Sequence, residues 1–286
     1  MRKAFALFCF FRESLSLKRI FCLENRLHME NCNGKKEPLV DIVMPCYNAS
    51  GFIGEAIKSV IGQTYQNWNL WVVDDASTDD TVSVVREAME QDPRIHLLTN
   101  YRNQGAARTR NRGLKNCRGE YVALLDSDDC WYEEKLECQV SLAQRSGADI
   151  VYCSYGMVDE NGERRWNDFI VPETVSFRQM LSSSVISCST ALLRKQVINR
   201  FYFPEDCYHE DFAYWMILLK NGYKAVGDPK VLADYRVRKN SRASNKWTSA
   251  KGRWDIYRKV LKLPLYQSVG AFARYTVKGI RKYSKK

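Results

Sequence analysis

Gly119-Glu120-Tyr121-Val122-Ala123-Leu124-Leu125-Asp126-Ser127-Asp128-Asp129-Cys130-Trp131 decides the fold, because its two halves demand opposite surroundings. Tyr121 to Leu125 is an unbroken apolar run, the pattern of a strand covered on both faces. Three carboxylates follow, and like charges gathered at a sheet edge are costly unless a cation or donor groups neutralise them. A divalent metal is the simplest neutraliser, and one held by carboxylates commonly also holds phosphate. On these residues alone, a polar loop after a strand explains the pattern equally well.

Upstream, a unit of strand, polar loop and helix recurs. Val40-Asp41-Ile42-Val43-Met44 reads as a strand stopped by Pro45, after which Phe52, Ile53, Ala56, Ile57, Val60 and Ile61 repeat at helical spacing. Leu70 to Val73 ends in Asp74-Asp75, and Ser77-Thr78-Asp79 offers capping side chains to a helix carrying Val82, Val85 and Met89. Ile95 to Leu98 forms a third strand, and a basic helix is predicted over 106–117. Tyr121 to Leu125 is then the fourth strand of an alternating series, which predicts a mostly parallel sheet flanked by helices. In such open sheets ligands bind beyond the carboxyl ends of the strands. Three of those ends are polar: Pro45-Cys46-Tyr47-Asn48, Asp74-Asp75 and Asp126-Ser127-Asp128-Asp129. Neither G-x-G-x-x-G after the first strand nor a P-loop is present, so phosphate binding falls to a metal and basic side chains. Arg108, Arg110 and Arg112 are candidates, with a solvated helix face as the competing account of each.

The chain has 286 residues and 45% hydrophobic content, enough for one large domain with tails. Its formal charge of +11 calls for a polyanionic partner, whether nucleic acid, anionic lipid or phosphorylated substrate. The 10 cysteines form no C-x-x-C pair and no zinc spacing, and read as free thiols in a reducing cytoplasm. Ala4 to Phe11 is short for a signal peptide and too short to span a bilayer. Arg12, Lys18, Arg19 and Arg26, interleaved with apolar residues, fit a segment lying on a membrane; alternatively Met29 is the natural start and the residues before it are dispensable.

Four motifs together resemble the family 2 glycosyltransferases of the GT-A (Rossmann-like) fold. They are Val40 to Asn48, Trp71 to Asp79, Asn103-Gln104-Gly105-Ala106-Ala107-Arg108-Thr109-Arg110-Asn111, and Leu124 to Asp129; the similarity runs over about residues 38 to 250. The resemblance implies transfer of a sugar from a nucleotide diphosphate donor, a UDP-sugar first among them, with inversion at the anomeric carbon and with Mn2+ or Mg2+. It places Pro45, Tyr47 and Asn48 at the nucleotide, with Tyr47 stacking on the base, and Asp75 as acceptor from the base with Asp74 beside it. Arg110 matches the family's Ala-Arg-Asn-type segment, with Thr109 replacing the usual Ala. Asp126 and Asp128 form its D-x-D motif, with Asp129 adjacent, and this group is assigned to ribose and metal. Trp131 is a further donor or acceptor contact.

Downstream, Ser182 to Thr190 is rich in small hydroxyls and reads either as a polar strand or as a border of the acceptor site. Tyr208-His209-Glu210-Asp211-Phe212 opens an apolar helix, and acidic residues favour a helix entrance without any chemistry. The resemblance adds that Asp211 falls on the catalytic base, with Glu210 beside it, and that Arg236, Arg238 and the segment Ser241 to Lys246 match a basic stretch closing over donor phosphates. Processive members carry Q-x-x-R-W before membrane spans; here Arg253-Trp254 has Ala250 in the Gln position and no long apolar run follows, so one sugar per acceptor is expected.

The organisation expected is an extension over 1–37, a glycosyltransferase domain over 38–250 with its nucleotide half at 38–147 and acceptor half at 148–250, and a basic amphipathic helical tail over 251–286. Pro264 divides that tail into two helices. The tail predicts attachment to an anionic membrane surface, with a solvated helix packing on the domain or a nucleic-acid patch as the alternatives. Together these readings place the enzyme in bacterial surface-polysaccharide assembly, on the inner face of the cytoplasmic membrane, acting on a polyprenyl-diphosphate-linked glycan, with no nucleic acid as partner. The competing readings are transfer directly to polyprenyl phosphate and a non-catalytic nucleotide- or nucleic-acid-binding protein.

Overall fold

The computed structural model describes residues 37–238 and 246–283. The extension, the start at Met29 and most of the basic segment beginning at Ser241 lie outside them. The chain divides after Glu37, and the account below concerns the unit from Pro38 onward.

The first half follows the alternation: β1 (Val40–Cys46), α1 (Ile53–Ile61), β2 (Trp68–Asp74), α2 (Thr81–Gln91), β3 (Ile95–Thr99), α3 (Ala106–Asn116) and β4 (Tyr121–Leu124). These four strands are parallel in the order β3-β2-β1-β4. Register brings Cys46 beside Asp74 and Asp74 beside Thr99, so their carboxyl ends share one edge. β1 runs through Pro45 rather than stopping there. β4 pairs with it only up to Val43, so proline's missing N–H costs no bond on that side. Along β4, Val122 and Leu124 enter one core while Tyr121 and Ala123 enter the other, as the apolar run requires.

The turn into β4 is fixed by a buried acid. Asp41 accepts from the backbone N–H groups of Arg118 and Gly119, the latter at 2.6 Å, and from Trp71 Nε1 at 3.2 Å. A Cβ on Gly119 would lie 2.4 Å from the Leu39 carbonyl oxygen, so only glycine allows this approach of β1 to the chain entering β4.

The second half is mixed. It comprises β5 (Cys130–Trp131), α4 (Lys135–Ser146), the hairpin of β6 (Ile150–Val158) and β7 (Arg164–Phe169), α5 (Phe177–Met180), a 3-10 turn at Cys188–Thr190, β8 (Leu192–Arg194), α6 (Lys195–Ile198), α7 (Glu210–Lys220) and β9 (Ala225–Arg236). The sheet continues β4-β8-β6-β9-β5, with β8 antiparallel to both neighbours and β9 parallel to β6. Four strand spacings thus separate β4 from β5, about 19 Å if flat. The linking residues cannot be fully extended, because Asp129 N donates to Asp126 O at 3.1 Å. The sheet must curl, and its curl brings the acidic loop over the end of β9.

From residue 246 the chain forms α8 (Lys246–Asp255), a π turn at Ile256–Val260 and, beyond Pro264, α9 (Leu265–Tyr283). Ile256, Tyr257, Leu261, Leu263 and Ala271 are buried with α7 in one core. The first part of the tail thus packs on the domain, one of the alternatives its sequence left open. No helix among the described residues is long and apolar enough to cross a membrane.

Candidate active site

The ends of β1 and β2 are tied to each other and to the loop before α3. Asn48, at φ 46°, accepts through its side chain from Thr78 N at 2.9 Å, while its own N–H donates to Ser77 Oγ at 2.9 Å. Asp74 accepts from Ser77 N at 3.1 Å. Asp75, only 3% exposed, accepts from Gln104 N at 2.9 Å, Gly105 N at 2.8 Å and Asn100 Nδ2 at 2.8 Å. Burial leaves these carboxylates in need of donors, and backbone N–H groups together with Asn100 supply them, so both hold the loops that border this edge. Tyr47 is 49% exposed at the mouth of the same edge, and Pro45 is buried beneath it.

The acidic stretch divides differently. Asp129 is 1% exposed and accepts from Ser189 Oγ and, at 2.8 Å, from Arg236 N. Burial, then the charges of Asp128 and Asp126, hold its carboxyl well above the usual range. It faces inward, which corrects its assignment as a metal ligand. Asp126 and Asp128 remain partly exposed. Burial and then Asp126 raise the carboxyl of Asp128, with Arg238 opposing them at 3.5 Å. Among the described residues no three acidic, His or Cys side chains gather to hold a metal by themselves. Two neighbouring carboxylates of like charge fit a cation whose remaining ligands come from a bound diphosphate.

One buried arginine joins this loop to the distant helix α7. Arg110 Nη2 donates to Asp126 Oδ1 at 2.7 Å, and its Nη1 lies 4.0 Å from Glu210 Oε1. Burial works to remove its proton, but Cys188, Asp126 and Glu210 outweigh that and raise its pKa. Its Nε and Nη1 have no hydrogen-bond partner among the described residues. Asp211, the next residue of the first turn of α7, is half-buried. Helical phase separates the three arginines, since positions 108 and 112 share a face that 110 does not. Arg108 pairs with Glu205 at 2.9 Å and Arg112 donates to Thr99 O at 2.6 Å, so neither reaches the acidic loop.

Two further assignments change. Trp131 is a core residue whose Nε1 donates to Ser189 O at 2.7 Å, with the Lys135 ammonium 3.7 Å from its ring centroid. Arg236 is buried and spent on protein: Nε donates to Asp128 O at 2.8 Å and Nη2 to Glu55 at 2.6 Å. It fixes the acidic loop instead of closing over phosphates. Arg238 keeps an exposed side chain beside Asp128.

Three residues went unassigned in the sequence. Ser189 receives Asp126 N at 3.1 Å while donating to Asp129, and so sets the spacing of the acidic loop; the hydroxyl-rich run around it was the available signal. Glu55 anchors Arg236 and gave none. Arg253 lies over the Phe212 ring at 3.4 Å, bracing the first turn of α7 behind Asp211; its place in Arg253-Trp254 was the clue.

Comparison with known proteins agrees with this geometry. Residues 41–201 match the model of glycosyl transferase family 2. The chain is 33% identical over 246 residues to a putative teichuronic acid biosynthesis glycosyltransferase, TuaG, of Bacillus subtilis, covering 86% of this chain and 98% of that one. It is 36% identical over 247 residues to the Escherichia coli enzyme WfgD, a UDP-Glc:alpha-D-GlcNAc-diphosphoundecaprenol beta-1,3-glucosyltransferase, covering 86% and 95%. Among solved structures, S. aureus TarS 1-349 in complex with UDP-GlcNAc superposes with a TM-score of 0.67 at 23% identity, covering 83% of this chain and 71% of that one. The mannosyltransferase PcManGT of Pyrobaculum calidifontis, in complex with GDP-Man and Mn2+, gives 0.65 at 20% identity, covering 85% and 74%. The matched model spans more than half of the chain, and the fold is that of the GT-A enzymes. The protein belongs to glycosyl transferase family 2 and is a glycosyltransferase.

Proposed function

We propose that this enzyme transfers one sugar, with inversion, from a UDP-sugar to a hydroxyl of a polyprenyl-diphosphate-linked glycan in bacterial surface-polysaccharide assembly. The observation that carries the reading is Arg110, which holds Asp126 at 2.7 Å and stands 4.0 Å from Glu210. It ties Asp126 to Glu210, two residues remote in sequence, and Asp211 follows Glu210 in the first turn of α7. The names of TuaG and WfgD support the pathway, and that of WfgD supports a UDP donor and a lipid diphosphate acceptor.

Tyr47 offers an exposed ring at the nucleotide end of the edge, with Asn48 holding its loop. Asp126 and Asp128 would hold Mn2+ or Mg2+ with the donor diphosphate; bound there, the cation neutralises charge growing on the leaving group. Asp211 accepts the proton of the acceptor hydroxyl as that oxygen attacks the anomeric carbon from the face opposite the diphosphate. Arg110 keeps Asp126 oriented and supplies fixed positive charge behind the reacting centre. The basic C-terminal segment supports peripheral attachment to the inner face of the cytoplasmic membrane, where a polyprenyl-linked acceptor would reside.

A panel of UDP-sugars tested with a short-chain polyprenyl-diphosphate sugar tests this. The expected result is UDP release and a new product from one donor, abolished by EDTA, with the anomeric configuration opposite to that of the donor by NMR. Failure of every donor, or retained configuration, would overturn the corresponding part.

A further inference from the structure

The proposed chemistry leaves unused a cavity of about 560 Å³ on the flank of the domain. Pro172, Val175 and Val185 wall it, and Arg178, Gln179 and Arg274 carry its polar groups. Among the described residues no carboxylate lines it. The side-chain carbonyl of Gln179 is taken by Ser176 N at 2.8 Å, which leaves its amide N–H groups as donors. Ser182 and Ser183 donate back to Gln179 O. Neither Arg178 nor Arg274 has a hydrogen-bond or ion-pair partner among the described residues. Two arginines on one apolar-walled hollow, without an anionic partner among the described residues, match an amphiphilic phosphate.

The cavity is remote from the acidic loop. Tyr152 OH donates to Pro172 O at 2.9 Å, placing the wall beside the early part of β6, whereas the acidic loop contacts β9 at Arg236, paired with Val158 at the far end of β6. Those six residues span about 20 Å.

Arg274 belongs to α9, whose exposed apolar side chains form one stripe. Leu265, Tyr266, Val269 and Val277 are all exposed, Tyr266 to 74%. At 100° per residue they fall within about 120° of arc, with Arg274 about 60° beyond the edge of that arc. Ser268 and Ala271 lie on the opposite, buried face. An apolar stripe flanked by a cationic hollow is complementary to a bilayer surface carrying anionic headgroups.

We propose that the Arg178–Arg274 hollow binds the phosphate of an anionic phospholipid while the α9 stripe enters the interface, orienting the enzyme on the membrane. This rests on the peripheral attachment given above and assigns it to one site. The test is sedimentation of the full chain with vesicles of phosphatidylcholine alone or with phosphatidylglycerol. Wild type is compared with R178Q/R274Q, with the charge-matched K58Q/K230Q on other surfaces, and with Y266S/V269S. Two arginines at a charged surface predict about a thirtyfold loss of phosphatidylglycerol-dependent binding for R178Q/R274Q and less than about twofold for K58Q/K230Q. The stripe variant is expected to lose binding to both vesicles, and all variants to keep wild-type UDP release with a water-soluble acceptor. Equal losses in the two charge variants, or none in R178Q/R274Q, would overturn the site while leaving membrane attachment standing. Absence of wild-type binding to either vesicle would overturn attachment itself. A thermal shift by inorganic phosphate, abolished by R178Q/R274Q while vesicle binding is unchanged, would reassign the hollow to a soluble anion and overturn the lipid proposal.

Discussion

Asp74-Asp75 and Asp126-Ser127-Asp128-Asp129 both end parallel strands at one edge of one sheet, yet their carboxylates serve opposite ends. Those after β2 are buried and satisfied by neighbouring donors, with Asp75 alone receiving two backbone N–H groups and an asparagine. In the loop after β4 only Asp129 is treated this way, held by Ser189 and the Arg236 backbone. Asp126 and Asp128 stay partly exposed, one against Arg110 and the other beside Arg238. The difference teaches that clustered acids mark a site only where local donors run out. The first loop wraps around its carboxylates; the second leaves Asp126 and Asp128 facing each other's charge, which a cation can relieve.

The comparison is broken most directly at its catalytic side. Asp211→Asn is expected to lower transfer about a thousandfold, the range for loss of a general base, while calorimetry shows unchanged UDP-sugar binding. Substantial transfer by this variant would remove Asp211 from the mechanism. Asp128→Asn should cost about a hundredfold in transfer and weaken donor binding only when Mn2+ is present, with the thermal midpoint unchanged or raised as repulsion is relieved. Metal-independent loss would place Asp128 with the structural acids instead.

Asp75→Ala sharpens the other side. Removing an acceptor shared by three donors should cost about 3 kcal/mol of stability in urea unfolding. If the midpoint is kept and only donor binding falls, Asp75 serves the nucleotide after all.

The most gradual expected effect, read as a slope against pH, comes from a buried base beneath the acidic loop. Lys135 lies under Trp131 and donates to Gln139 at 2.7 Å; burial lowers its pKa from 10.5 to about 7. The unfolded chain keeps this proton up to 10.5, the folded chain only to about 7, so unfolding takes up a proton between them. Stability should therefore rise with pH across that window, by on the order of 1 kcal/mol per unit. Lys135→Met should flatten the slope; the lost donor to Gln139 shifts the curve by a constant and leaves the slope as the readout. An unchanged slope would exclude Lys135 as its source.

Most of the parallel half was legible in sequence, because a strand covered on both faces must be continuously apolar and a helix must repeat every third or fourth residue. Tyr121 to Leu125 and Ile53 to Ile61 obey those rules without help from elsewhere. The β1 boundary was misjudged at Pro45, since whether a proline ends a strand depends on how far its neighbour extends. Trp131 and Arg236 were assigned to ligands, and both turned out to be packed or bonded within the protein. Their partners Ser189 and Glu55 are remote in sequence, and no local pattern announces such pairings. The tail was taken as separate because its basic residues dominate its composition, while the few apolar ones, Ile256, Tyr257 and Leu261, do the packing.

The sequence by itself determined the alternation of strands and helices, the edge at which the acids gather and the family to which the motifs belong, all of them consequences of short-range periodicity and spacing. Tertiary structure alone decided which carboxylates are spent. That depends on whether a backbone N–H, a hydroxyl or a guanidinium from a distant segment arrives within about 3 Å, and only the curled sheet brings Ser189, Arg236 and Arg110 to the acids they satisfy.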